Sequence, residues 1–248
     1  MNMFILLIFM RLNDPLMVKI APLCIINGAT QNCNYCYAST IIKNGLTLNG
    51  SQRYKCKVCK RRFVGNYKNR AYFPGTKENV IALNKEGCSV RSISRLLRIC
   101  CNTVQKKILS LAKAACKPFI SFNKSYEVDE LCTFVGTKAK RVWIAYAYCR
   151  ETKSVVDFVI GNRSKMTLQP MIDKLLSATP KIIYTDKHQT YATLIPADTH
   201  STKYRGTNHI ERKNLTLRTH LKRLSRRTIC FSRSTAMLHA CLMIYFFG

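Results

Sequence analysis

The sequence predicts an α/β protein whose strand-rich C-terminal half is preceded by a cysteine-held unit and a helical segment. Three observations predict it. Two Cys-x-x-Cys pairs stand within residues 20–72, apolar residues recur at helical spacing through 76–115, and strand-like runs divided by turns begin near residue 125. The reading divides the chain into an extension (1–19), a cysteine unit (20–72), a helical unit (73–118) and an α/β domain (119–248).

The extension carries an apolar run from Met3 to Met10, too short to span a bilayer. No basic segment precedes it and no small-residue cleavage site follows, so it does not read as a signal peptide. It reads as a poorly ordered extension, or as a start codon assigned upstream of Met17. No other stretch reaches membrane-span length without charges, and no membrane partner is expected.

The 248 residues are 47% hydrophobic, enough for real cores and against a disordered class. Lys and Arg total 41 against 12 Asp and Glu, a formal net charge of +29. Self-repulsion of that size destabilises a compact state, and a polyanionic partner offsets it; nucleic acid is the usual one. Ribosomal proteins, basic toxins and membrane-surface proteins share the composition, so charge alone does not choose among them.

Thirteen cysteines could indicate a secreted disulfide scaffold. The number is odd, however, and Cys88, Cys132, Cys149, Cys230 and Cys241 sit singly in apolar segments, where cysteine behaves as a small hydrophobe. Cys33-x-x-Cys36 and Cys56-x-x-Cys59 are separated by 19 residues, within the window for one four-sulfur structural Zn²⁺. Arg53, Lys55, Lys57, Lys60, Arg61 and Arg62 crowd the second pair, and the bland alternative is chance spacing in a Cys-rich chain. Cys24 is left over and is assigned nothing. Asn27-Gly28, Asn44-Gly45 and Asn49-Gly50 read as turns of this zinc ribbon. Cys-x-x-Cys metal binding fits a reducing cytosol.

The stretch Cys88 to Lys107 places a Ser-Val helix start, an amphipathic helix, a short break and a second helix in about twenty residues. A helix-turn-helix puts the N-terminal residues of its second helix against base edges. Here these are Asn102, Thr103, Gln105 and Lys106, with Asn102-Thr103 also suited to capping. An ordinary helical hairpin is the alternative, and Arg98 stands where the turn often prefers glycine.

Arg141 to Cys149 and Ser154 to Gly161 flank a polar turn, a hairpin signal. A helical stretch follows from Thr167 to Ala178, then the short strand Lys181 to Thr185, then a basic helix from about Thr207 to Leu224. Ile210, Leu217, Leu221 and Leu224 form its core-facing stripe. Asp129 lies in a strand-like run, Asp186 ends a strand, and Glu211 opens the basic helix. Two Asp on neighbouring strands and a Glu on a packed helix can converge on two Mg²⁺ ions. Bland readings exist: Asp186 as a helix cap, Glu211 as a surface charge, Glu130 as the ligand in place of Asp129. Strand alternation puts Glu130 on the opposite face. Asp157 reads as a surface or edge charge.

The segments VDELCTFVG, IYTD and HIERKNLTLRTHLKRLSRRTICFSRS resemble the transposases of the insertion-sequence 1 family, over roughly residues 20 to 245. The resemblance implies a ribonuclease H-like DDE catalytic domain with Asp129, Asp186 and Glu211 as its triad and Mg²⁺ ligands, 24 residues separating the last two. It also implies a zinc ribbon and helix-turn-helix ahead of that domain, a prokaryotic cytoplasmic, nucleoid-associated setting, and at least a dimer to hold two element ends. Expected chemistry is binding of terminal inverted repeats in double-stranded DNA, phosphodiester hydrolysis and strand transfer. Cys132 replaces a Trp of the family pattern, and Lys187-His188 replaces Gly-Trp. From Lys203 to Arg233 there are ten Lys or Arg and one acid; Asn214, Arg218, Lys222 and Arg223 read as a DNA track, a solvated basic face being the alternative. His209 reads as a supporting residue. A DNA-binding regulator without catalysis is the competing function.

Overall fold

The computed structural model describes residues 32–65, 69–203 and 206–248. The expected extension 1–19, Cys24 and the Asn27-Gly28 turn lie outside them. The described residues fall into two compact units that divide between Asn66 and Tyr67.

The first unit is a three-stranded antiparallel sheet, β1 (Ile41–Leu46), β2 (Gln52–Cys56) and β3 (Arg62–Val64), in that order. Gly50, at φ +74°, makes the β1–β2 turn and donates its N–H to Thr47 O at 2.9 Å. The expected turn at Asn44-Gly45 is instead a bulge. Gly45 sits at φ +72° inside β1, where the register shifts between Lys43 and Leu46 and pairing resumes beyond. The core consists of Cys33, Cys56 and Phe63, with Ala38, Ile41, Tyr54 and Cys59 packed against it. So few apolar side chains cannot offset the ordering entropy of the segment, and a further staple is required.

The second unit opens with α1 (Thr76–Lys85), α2 (Val90–Leu97) and α3 (Cys101–Ala114). Ser89 caps α2 by accepting the Ser92 N–H, and Arg98 closes it in the left-handed region at φ 54°. Helix α3 starts one residue before Asn102, behind Cys100, with no side-chain cap. Asn102 and Thr103 are therefore within its first turn and do not cap it, because the break ends at Cys100.

There follow β4 (Ser125–Val135), β5 (Thr137–Cys149), β6 (Ser154–Gly161), α4 (Lys165–Ser177), β7 (Ile182–Tyr184), α5 (Gln189–Leu194), β8 (His200–Ser201), α6 (Asn208–His220) and α7 (Thr235–Phe247). The sheet order is β6-β5-β4-β7-β8; β4, β5 and β6 form an antiparallel meander, while β7 and β8 add in parallel. Alternation along β4 sends Tyr126 and Val128 to one face, where Leu168, Met171 and Ile172 of α4 and Tyr191 of α5 cover them. Leu131 and Val135 go to the other face, against α6, α7 and the three leading helices.

Helix α7 is apolar almost all round, and it is buried accordingly, with Leu238, Cys241, Leu242 and Ile244 at 0–1% exposure. Asn84 of α1 donates to the Cys241 carbonyl at 3.1 Å. The helical segment 73–118 and the strand-rich segment 119–248 share this core. The basic helix is shorter than its pattern predicts: α6 stops at His220, Leu221 turns extended (φ −98°, ψ 90°), and a 3-10 turn covers Lys222–Leu224. Ile210, Leu217, Leu221 and Leu224 are all buried, as the stripe requires.

Gly87, between α1 and α2, holds φ +71°, and a Cβ there would stand 1.9 Å from the His220 carbonyl at the end of α6. Gly87→Ala would suffer both the backbone strain and that clash, so it should lower stability by more than ~1 kcal/mol, measured by denaturant unfolding.

Candidate metal centres and carboxylate cleft

In the first unit the two Cys-x-x-Cys turns are near copies of each other. Cys33 N–H donates to Ala38 O at 2.8 Å and Cys56 N–H to Arg61 O at 2.9 Å, and Tyr37 and Lys60, each following the second cysteine of its pair, hold φ 59° and 60°. All four sulfurs lie within 4.8 Å of one another. The Cys33–Cys59 and Cys36–Cys56 separations are 3.6 Å. A tetrahedron with Zn–S bonds of ~2.3 Å has edges of ~3.8 Å, so the donor set fits Zn²⁺. Burial works against ionising Cys33, but N–H donors from Cys36 and Tyr35 and the neighbouring thiols outweigh it, lowering its pKa to about 6. Cys56 is lowered in the same way. Cys59 is shifted the opposite way, to about 11: the Arg61 N–H acts to lower it, but burial and the neighbouring sulfurs outweigh that donor. Thiolate formation is thus favoured at Cys33 and Cys56 before a cation arrives.

In the second unit, Glu127, Asp129 and Glu130 follow closely on β4, and burial forces each to find a partner. Glu127 is fully buried on the α6 face. It accepts from Arg150 Nε (2.7 Å) and from the Ile210 N–H (2.8 Å), and pairs with His209 Nδ1 (2.6 Å). This carboxylate therefore receives a backbone donor of the first turn of α6 and fixes that helix against β4. Glu130 points to the other face, as alternation predicts. Its Oε1 accepts from Tyr191 Oη at 2.8 Å and its Oε2 from Arg163 at 3.0 Å.

Asp129 is different, since among the described residues it has only neutral donors. Its Oδ1 accepts the Glu130 N–H at 2.7 Å and its Oδ2 the Asn214 amide at 2.7 Å, while Tyr146 Oη donates to Asn214 Oδ1 at 2.9 Å. Burial pushes the Asp129 carboxyl up to about 6; the Glu130 N–H opposes this, and the charges of Glu130, Asp186 and Glu211 add to it. Asp186 follows β7 and is 41% exposed at its side chain. It accepts the His188 N–H at 3.0 Å and the second bond of Arg163 at 3.2 Å. It does not cap α5, whose N-cap is His188.

Carboxylate oxygens of Asp129, Glu130 and Asp186 lie within 4.8 Å of one another. Glu211 is outside that group. It is exposed, its Oε1 accepts from Thr207 Oγ1 at 2.8 Å, and it lines an open cleft of about 400 Å³ with Asp186, Lys187 and Lys203. An oxygen-only donor set holding excess negative charge fits a hard divalent cation such as Mg²⁺.

The residues expected to meet DNA are scattered. Asn102, Gln105 and Lys106 are exposed on α3 and Thr103 is half-buried. The Asn214 amide is occupied by Asp129 and Tyr146, which makes it a support of Asp129. Lys222 is exposed, whereas Arg223 donates to Ser232 Oγ at 2.9 Å. Arg218 is half-buried. Asp157 is not a surface charge, for it is 2% exposed and its two oxygens pair with Lys117 and Lys174, which cover it. Sequence reasoning passed over Glu127 and Arg163. Their partners are far along the chain, and the one visible signal was scarcity, a Glu inside an apolar strand of a protein with few acids.

The IS1 transposase family model matches residues 124–247. The insertion element iso-IS1n protein InsB of Shigella dysenteriae is 42% identical over 108 residues, 44% of this chain and 82% of that protein. The IS1 protein InsB of Shigella flexneri is 38% identical over 112 residues, 45% of this chain and 85% of the relative. A solved structure of a simian T-cell lymphotropic virus intasome in complex with PP2A regulatory subunit B56 gamma aligns over 66% of each chain. Its TM-score is 0.34 at 16% identity.

Two outcomes follow from the geometry. The purified chain should contain one zinc per molecule by elemental analysis, and Cys56→Ser should lose it and unfold the ribbon, since bound zinc supplies ~10 kcal/mol or more of folding energy to such segments. The Asp129 carboxyl binds its proton more tightly folded than unfolded, so it lowers metal-free stability as pH rises from about 4 through about 6, by up to ~3 kcal/mol. Asp129→Asn should flatten that slope in unfolding measured across pH.

Proposed function

Because the chain belongs to the IS1 transposase family, we propose that it binds the terminal inverted repeats of a mobile element and cuts and joins DNA there with divalent metal. The observation that carries this reading is the approach of Asp129 on β4 to Asp186 just beyond β7, with no cationic partner for Asp129 among the described residues. The sheet order, an antiparallel meander extended by two parallel strands, supports a ribonuclease H-like catalytic domain.

Asp129, Asp186 and Glu211 would hold two Mg²⁺ ions. Bound there, the ions supply Lewis-acid stabilisation of the attacking and leaving oxygens of an in-line displacement. The chain's own residues do the rest. Lys187 and Lys203 line the cleft beside Asp186 and Glu211, where they can hold phosphates flanking the scissile one. Tyr146 and Asn214 keep Asp129 in one rotamer, and Glu127 keeps the helix that carries Glu211 and Asn214 at fixed height over the sheet. In the first step a water oxygen bonds to phosphorus and the 3′-oxygen at the element end leaves. In the second, that 3′-hydroxyl attacks a target phosphodiester and the target's 3′-oxygen leaves.

For recognition, we infer that α2 and α3 act as a helix-turn-helix. The tight break at Arg98 and the exposure of Asn102, Gln105 and Lys106 at the start of α3 support this, with Thr103 beside them. Arg218 and Lys222 add basic charge to the same unit, and the zinc ribbon carries basic residues of its own. Among the described residues no helix is long and apolar enough to cross a membrane. Two ends must be held together, so a dimer or larger assembly in the cytoplasm is part of the reading.

Asp186→Asn should remove several kcal/mol of transition-state stabilisation, at least ~10³-fold in Mg²⁺-dependent cleavage of an element-end duplex, with end binding nearly intact. Retained cleavage would refute the role of Asp186, and absence of Mg²⁺-dependent cleavage by the wild-type chain would point instead to a DNA-binding regulator.

A further inference from the structure

Arg163 lies in the short connection between β6 and α4, and that connection is built to hold it. Asn162 Oδ1 accepts from both Ser164 Oγ and Thr167 Oγ1 at 2.6 Å, and Thr190 Oγ1 donates to the Arg163 carbonyl at 3.5 Å. The guanidinium rests 4.7 Å over the ring of Trp143, the single tryptophan of the chain. One of its nitrogens serves two carboxylates at once, Glu130 at 3.0 Å and Asp186 at 3.2 Å.

The two partners are not equivalent. Glu130 is 1% exposed at its side chain and is fastened from its other oxygen by Tyr191. Parting Glu130 from Arg163 would leave a buried charge unpaired. Asp186 is 41% exposed and faces the cleft, so its bond to Arg163 can exchange with solvent and ions. The guanidinium thus has one fixed attachment and one replaceable one.

Resting on the metal-dependent reading above, we propose that Arg163 is the internal counter-ion of the cation site. It holds Asp186 beside Asp129 in the metal-free protein, keeps Glu130 out of the ligand set, and competes with the divalent cation for Asp186. It is a positioning residue that touches no substrate. Without it, three carboxylates would face one another with no ion-paired cation shared among them in the described residues, and the site would bind cations more tightly and with a less defined ligand set.

The test is Mn²⁺ titration of the full chain without DNA, following free Mn²⁺ by electron paramagnetic resonance. Wild type should bind, and Asp186→Asn should lose binding. If wild type binds no Mn²⁺, the metal-dependent reading falls and this inference with it. Arg163→Gln removes the competing charge and should bind about tenfold more tightly than wild type, whereas Arg163→Lys, which keeps the charge, should stay within about threefold of it. Equal or weaker binding by Arg163→Gln overturns the inference while leaving the metal reading intact, and so do Gln and Lys variants that behave alike. Should Arg163→Gln fail to fold, Arg163→Lys decides alone, and a change beyond about threefold in either direction overturns the proposal.

Discussion

Three carboxylates crowd four consecutive residues of one strand, and burial does not tolerate an unpaired one. The way β4 satisfies them arranges everything around it. Glu127 is neutralised by Arg150, hydrogen-bonded to His209 and holds the first turn of α6; Glu130, on the reverse face, is neutralised by Arg163 and tied to Tyr191. Asp129 between them receives only an amide and a backbone N–H. Glu127 and Glu130 thus each have a cationic partner among the described residues, and Asp129 has none. In an acid-poor, strongly basic protein, Asp186 and Glu211 line a cleft that Lys187 and Lys203 share, and Asp129 lies within 4.8 Å of Asp186.

Packing explains how that cleft stays in shape. Helix α7 lies between the sheet and the leading helices, so the elements that carry Asp129 and those proposed to read DNA lean on a common core. Gly87 lets the α1–α2 loop approach the end of α6 closely, which ties the lower end of the helix bearing Glu211 to the same helices. Glu127 secures its upper end. Helix α6 is therefore restrained at both termini, although its own outward face is strongly basic and offers little packing.

The cysteine unit follows a different logic. Its apolar core is a handful of side chains, and the matched turns around Cys33-Cys36 and Cys56-Cys59 converge sulfurs at near-tetrahedral spacing. Zinc ligation by these four sulfurs would substitute there for the hydrophobic burial that holds the larger unit.

Much of this was legible in the residues alone. Local rules decide where chemistry repeats at short range: the equal spacing of the cysteine pairs, the β5–β6 hairpin around its polar turn, the stripe Ile210, Leu217, Leu221 and Leu224, and the alternation that separates Asp129 from Glu130. These features depend on neighbours within a few positions, so periodicity and turn propensity reveal them. What only the tertiary structure decided is who answers each charge. The ties of Glu127 to His209, of Glu130 to Tyr191, of Arg163 to Asp186, and of Asp157 to Lys117 and Lys174 join residues from 17 to 82 positions apart. The bulge at Gly45 and the early stop of α6 were equally hidden, because each is set by pairing or packing across elements. Electrostatic partners are chosen by distance in space and by desolvation, and neither quantity is written in the order of the chain.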